Sequence, residues 1–145
     1  MLILLISLLF SFPNDHMNLE AIDLSGNWNI TGTVVTTTSR DPTAPQPGSQ
    51  MVDVWSITLN NGVPRLKTKA GSVDGTIVNE TYHFEGQVTI YPNPLVWMTF
   101  KIDILPSTAA SQIYGTETLT YFGLDGVRNP HLLGTESWTF TGVKQ

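Results

Sequence analysis

Two similar nine-residue stretches near the C-terminus each carry a glutamate in phase with large apolar residues. They read GTETLTYFG over residues 115–123 and GTESWTFTG over residues 134–142. If both are β-strands, alternation places Glu117 and Glu136 on the same faces as those apolar residues. Two desolvated carboxylates at cross-strand distance would share a proton, which raises one pKa. Such a pair suits a general acid, a cation site, or a polar anchor for a ligand amine or hydroxyl.

The register between the two stretches decides whether the acids meet. One register puts Gly115 opposite Trp138, so that a small residue accommodates a large one, and it places Glu117 directly across from Glu136, with Cβ atoms about 5 Å apart. A shift of two residues separates them. In that alternative each acid reaches solvent at a strand end or pairs with a cation, and the candidates are Arg65, Lys67, Lys69 and Arg128.

The elements that would position these acids are short strands. From Leu24 onward, apolar and polar residues alternate in runs separated by Gly, Pro, Asn and Asp clusters, a pattern typical of hairpins. The pattern predicts eight strands: Asn27–Thr38, Met51–Leu59, Val63–Lys69, Val73–Val78, Thr81–Tyr91, Leu95–Leu105, Ser111–Phe122 and Leu132–Val143. A long loop with three prolines, Arg40–Gln50, separates the first two. It is either a binding loop or a surface insertion.

Five of these strands follow one rule, in which large residues alternate with small polar ones. A shared rule over consecutive hairpins predicts an all-β fold, an eight-stranded antiparallel meander β-barrel, because closure removes the sheet edges. The bulky side chains then share one interior and the hydroxyl-bearing ones coat the outside. The residues predicted to bind a ligand in the barrel are Trp28, Trp55, Tyr82, Phe84, Glu117, Tyr121, Glu136 and Trp138.

The pattern resembles that of the lipocalin and avidin-type calycins. Leu24-Ser25-Gly26-Asn27-Trp28 is similar to the Gly-x-Trp motif at the start of their first strand, and the eight-strand meander matches their architecture. The resemblance implies a β-barrel fold and the binding of small molecules. The one residue that it carries over is Trp28, whose role in these families is packing at the barrel floor.

Composition excludes several classes of function. The chain has no cysteine, which excludes a disulfide framework and a thiolate metal site. Seven Lys and Arg residues against twelve Asp and Glu residues give a net charge of −5, which argues against a nucleic-acid partner. No metal-binding or nucleophile motif is present. The sequence therefore predicts a non-catalytic protein without a cofactor or metal.

The first twelve residues, MLILLISLLFSF, are apolar but too short to cross a bilayer core of about 30 Å as a helix. Their length is typical of a secretion signal. We therefore predict a signal peptide or disordered segment over residues 1–22, a barrel domain over residues 23–145, no membrane span, and a secreted or periplasmic location. The alternative is that Met17 is the true start and the protein is cytosolic.

The leading functional hypothesis is a binding protein that takes a small, largely apolar ligand into the barrel. The alternative is a structural or assembly module with a filled barrel, which forms homo-oligomers or contacts other surface proteins through an outer face around Trp97. A third hypothesis is an enzyme that uses Glu117 and Glu136 as its acids.

Overall fold

A computed structural model describes residues 22–40 and 42–145. The segment predicted as a secretion signal lies outside the described residues except for Ile22. The described chain forms a closed barrel whose strands pair in sequence order, each antiparallel to the next, with β1 closing onto β8. The strands are β1 (Gly26–Thr37), β2 (Gln50–Asn60), β3 (Val63–Thr68), β4 (Gly71–Val78), β5 (Thr81–Pro92), β6 (Leu95–Pro106), β7 (Gln112–Leu124) and β8 (Pro130–Lys144).

The eight-stranded antiparallel meander predicted from the sequence is confirmed. Every predicted strand is present, and each end falls within two residues of its predicted position. The two-residue extensions are at the start of β4 and in the β7–β8 hairpin, where pairing continues past a bulge at Tyr121/Phe122 to Leu124 and Pro130. Among the described residues there is no helix, and hence none of the length and apolarity that a bilayer span requires.

One end of the barrel is closed by the chain that precedes β1. Leu24 is buried there against Trp28, whose indole Nε1–H donates to the Leu24 carbonyl oxygen at 2.9 Å. The hydroxyl of Tyr82 donates to the carbonyl oxygen of Ile22 at 2.7 Å. Lys144 lies over the outer side of this floor, with Nζ 5.5 Å from the centre of the Trp28 ring. Trp28 and Tyr82 are both fully buried, so this end is a packed apolar floor.

Glycines on the inner face make room for the rings of the core. A Cβ on Gly115 would meet the carbonyl oxygen of Asp103 on β6 and would lie 2.6 Å from the Phe140 ring on β8. Gly86 is placed in the same way against Phe100, whose ring would be 2.6 Å from an added Cβ. The inner rows therefore alternate large and small residues between neighbouring strands, which fits bulky rings into a narrow barrel.

The other end of the barrel carries the long loop. Residues 38–40 and 42–49, between β1 and β2, have no strand structure, as the prolines of this loop predict. Its C-terminal part is tied to β1, since the amide of Gly48 donates to the carbonyl oxygen of Val34 and the amide of Val34 donates to Ser49, both at 2.9 Å. The two ends of the barrel thus differ, one packed and the other bordered by a loop.

Candidate functional site

A cavity of about 380 Å³ lies inside the barrel, on the side of the long-loop end. Its walls are mostly apolar, with Trp55 and Leu66 on one side and Phe100, Leu119 and Trp138 on the other. These residues come from five different strands, β2, β3, β6, β7 and β8. Alternation turns each of them inward, and strand closure brings them around one space. Polar side chains also reach this space, and among them Asp53 and Glu117 are the acidic residues and Lys69 is the basic one.

The register of the β7–β8 hairpin separates the two glutamates by two positions. Glu117 lies opposite Trp138, and Glu136 lies opposite Leu119. Direct opposition of Glu117 and Glu136, with Gly115 across from Trp138, is therefore wrong. The physical reason is that Gly115 makes room for the Phe140 ring and lies opposite it. Both acids nevertheless face inward as predicted, because a shift of two residues keeps the parity of the strand.

Two inward acids are each held by a tryptophan two residues later on the same strand. The indole Nε1–H of Trp138 donates to Oε2 of Glu136 at 3.3 Å, and the Tyr121 hydroxyl approaches the same oxygen at 3.4 Å. Asp53 on β2 repeats the arrangement, because the Nε1–H of Trp55 donates to its Oδ2 at 3.1 Å. Residues i and i+2 point to one face of a strand, so the spacing acid-x-Trp creates a donor for a carboxylate that would otherwise be desolvated.

Asp53 was not among the site residues predicted from the sequence. The signal was present, because Asp53 shares its strand parity with Trp55, which was predicted to face inward. The structure gives Asp53 a second partner, Lys69 in the β3–β4 turn, whose Nζ lies 3.2 Å from Oδ1. The lysine side chain is 79% exposed and the aspartate 16%, so this ion pair lies at the rim of the cavity.

Glu117 differs from the other two acids. No hydrogen bond or ion pair from the described residues reaches its carboxylate, although it lies at the cavity wall. Burial, with a smaller contribution from the negative charges of Asp53 and Glu136, raises the pKa of Glu117 to about 7. Burial also raises the pKa of the Tyr121 hydroxyl, again with Glu136 adding to the shift. Near neutral pH, Glu117 therefore exchanges between a proton donor and a carboxylate that accepts hydrogen bonds.

The structure divides the predicted ligand-binding residues into three groups. Trp55, Glu117 and Trp138 line the cavity. Tyr121 and Glu136 line a separate, more open recess beside the long loop.

The third group consists of Trp28, Tyr82 and Phe84, which line neither space. They are 0%, 0% and 1% exposed and belong to the packed core near the floor. Neither the cavity nor the recess extends to these three residues, and their role as ligand contacts stays a prediction.

None of the basic residues proposed as partners pairs with either glutamate: Lys69 lines the same cavity as Glu117 but pairs with Asp53, and the other three are exposed. Arg65 pairs with Asp74 on the exposed side of β3 and β4 at 2.8 Å, and Lys67 is exposed. His83 and Asp103 form a pair at 2.6 Å between β5 and β6 that faces outward. Within residues 22–40 and 42–145, no group of three or more His, Asp or Glu side chains is arranged to hold a metal ion.

The comparisons with known proteins do not identify this site. No protein-family description matches the chain, and no curated protein matches it either. The resemblance to calycins therefore stays a prediction, and the function is argued from the geometry alone.

Proposed function

We propose that the protein binds one small, largely apolar ligand in the cavity between Trp55, Leu66, Phe100 and Trp138, and that it does so without catalysis. The observation that carries the proposal is the open interior. An eight-stranded barrel is just wide enough either to fill with its own side chains or to hold one small ligand. The cavity of about 380 Å³ supports the second outcome.

The size and chemistry of the space support a ligand rather than trapped solvent. Ligand pockets usually measure about 300–1,000 Å³ and combine apolar walls with a few polar groups that orient the ligand. Here aromatic rings and aliphatic side chains form the walls, while Glu117 supplies a polar group without a partner among the described residues. The packed floor around Trp28 closes one end, so a ligand would enter from the end that carries the long loop.

A fluorescence titration with N-phenyl-1-naphthylamine, a neutral apolar probe, tests this proposal. We expect saturable binding at one site per chain. The variant Val88→Trp places a large ring in the cavity, because Val88 lines it from β5, and should weaken binding at least about tenfold. Glu85→Trp is the matched control on the exposed side of the same strand and should leave binding unchanged. Absence of saturable binding, or equal affinities for the two variants, would refute the proposal.

A second candidate function, an assembly module, is favoured by one observation on the outer surface. Trp97 on β6 stacks on Phe122 on β7, with ring centroids 5.5 Å apart and planes inclined by 15°. Leu132, opposite Phe122 in the register, is 59% exposed. Aromatic residues are enriched where proteins dock. Light scattering on the wild type and on Trp97→Ser would show a discrete oligomer that the variant loses, whereas a wild-type monomer would exclude this candidate.

The predicted secretion signal lies outside the described residues, so export remains part of the proposal. Mass spectrometry of the protein from its own host would give a chain lacking the first residues if the signal is cleaved. A full-length chain retained inside the cell would contradict export.

A further inference from the structure

The cavity holds an imbalance of charge that its own residues do not correct. Asp53 has both a hydrogen-bond donor in Trp55 and a cation in Lys69. Glu136, behind Trp138, accepts from Trp138 and Tyr121. Glu117 has neither kind of partner among the described residues, although it borders the same space. Glu117 is half-buried, and a partly desolvated carboxylate without a donor or cation is destabilised. A bound group that supplies both would relieve that destabilisation.

The groups that face Glu117 from neighbouring strands leave it in a negative environment. On β2 and the β3–β4 turn these are Asp53 and its partner Lys69, and on β8 the nearest ionisable group is Glu136. Tyr121 follows on its own strand, and β6 presents the apolar Ile102 opposite it. The one lysine of this set is bound to Asp53 at the rim. The local field therefore favours a cation over an anion beside Glu117.

The cavity walls fit the apolar part of a ligand that carries a cation. The aromatic rings of Trp55, Phe100 and Trp138 surround the cavity, and ring faces attract ammonium groups as well as apolar surface. Asp53 and Glu136 occupy the indole N–H groups of Trp55 and Trp138. Those two N–H groups are therefore not available to a ligand acceptor, which disfavours an acidic or carbonyl-rich molecule.

We propose, building on the function proposed above, that the natural ligand is an amphipathic amine whose ammonium group binds the carboxylate of Glu117 while its apolar body lies between Trp55, Phe100 and Trp138. The ammonium group supplies the cation and the hydrogen-bond donors that Glu117 lacks. The ligand is thus specified as a primary or secondary amine with an aromatic or aliphatic body small enough for about 380 Å³.

A series of three indoles tests this inference by calorimetry at pH 8. Tryptamine carries an ammonium group, tryptophol carries a hydroxyl in its place, and 3-ethylindole carries neither. A charge-assisted hydrogen bond predicts that tryptamine binds at least about tenfold more tightly than the other two. The variant Glu117→Gln should abolish this preference, whereas Glu85→Gln, the same change at an exposed outer position, should retain it.

The pH dependence provides a readout that loss of packing would not reproduce. The pKa of Glu117 is raised to about 7 by burial and by Asp53 and Glu136, while an alkylamine keeps its proton up to about pH 10. Tryptamine affinity should therefore fall by up to about tenfold per unit as the pH drops below about 7, and it should be level between pH 8 and 9. The affinity of 3-ethylindole should change little over the same range.

The outcomes separate this inference from the proposed function. Equal affinities of the three indoles, tighter binding of tryptophol, or a preference that survives Glu117→Gln would overturn the amine assignment. So would the absence of indole binding to protein that still binds N-phenyl-1-naphthylamine. If that neutral probe does not bind either, the cavity is not a ligand site and the proposed function itself fails.

Discussion

The indole Nε1–H of Trp138 donates to the carboxylate of Glu136, two residues earlier on the same strand, at 3.3 Å. Trp55 and Asp53 repeat this relationship on β2 at 3.1 Å. Each tryptophan thus contributes a ring to the cavity wall and a donor to an inward acid. Glu117 has a leucine two residues later and lacks such a donor, which leaves it as the acid that a ligand can engage.

Replacement of Trp138 by phenylalanine should expose the role of its N–H group. The Trp138→Phe variant retains an aromatic ring but removes the donor to the buried Glu136, which is 3% exposed. A buried acceptor that loses its donor costs about 1–3 kcal/mol of unfolding free energy, measured by denaturant titration. Trp97→Phe on the outer face is the control and should cost less than about 1 kcal/mol. Equal losses in the two variants would contradict this role.

Neutralising Glu117 should stabilise the protein in a pH-dependent way. The pKa of Glu117 in the folded protein is about 7 against an ordinary value of 4.5, so the fold favours the protonated form. This contribution is fully present below pH 4.5 and is lost as the pH rises through about 7. Glu117→Gln should therefore raise the unfolding free energy by up to about 3 kcal/mol at pH 8 and by almost nothing at pH 4. The same change at both pH values would show that the carboxyl is not desolvated.

Gly115 should tolerate no side chain. An alanine Cβ there would collide with the carbonyl oxygen of Asp103 and approach the Phe140 ring to 2.6 Å, so Gly115→Ala should destabilise the barrel by about 2–3 kcal/mol in thermal or denaturant unfolding. Gly126→Ala, in the β7–β8 turn with nothing within 4 Å of an added Cβ, should change stability by less than about 0.5 kcal/mol. A neutral Gly115→Ala would mean that β6 and β8 lie further apart than described.

The Tyr82 hydroxyl should fasten the segment that closes the floor. It donates to the carbonyl oxygen of Ile22 at 2.7 Å and accepts from the amide of Leu24 at 3.4 Å. Tyr82→Phe should cost about 1–2 kcal/mol and should speed hydrogen exchange at the Leu24 amide. Tyr114→Phe, at a position 48% exposed, should do neither. Unchanged exchange in Tyr82→Phe would show that apolar packing alone holds the segment.

The strands and their closure could be predicted from sequence because both depend on local rules. Turn residues mark the ends of each strand, and alternation decides which side chains face inward. This sufficed to place Glu117 and Glu136 inside. Register could not be predicted in the same way, since it depends on contacts such as that of Gly115 with the Phe140 ring and on the bulge at Tyr121/Phe122.

The depth at which a residue lies within the barrel could also not be predicted from the alternation of apolar and polar residues. Trp28 and Trp55 are directly paired in the β1–β2 register, yet Trp28 belongs to the floor and Trp55 lines the cavity. Strands in a barrel are tilted by roughly 35–45° to its axis, so neighbours in a ladder lie at different heights. Sequence alternation predicts which face of a strand a residue occupies but not this height, so it could not separate floor residues from those that line the cavity.

The most direct test of a ligand-binding interior uses the four tryptophan indole N–H signals in a ¹⁵N-labelled sample. Trp55 and Trp138 line the cavity, Trp28 lies in the floor, and Trp97 stacks on Phe122 outside. Titration with N-phenyl-1-naphthylamine should shift the Trp55 and Trp138 signals and leave those of Trp28 and Trp97 nearly unchanged. A shift confined to Trp97, or no shift at any of the four, would contradict binding inside the barrel.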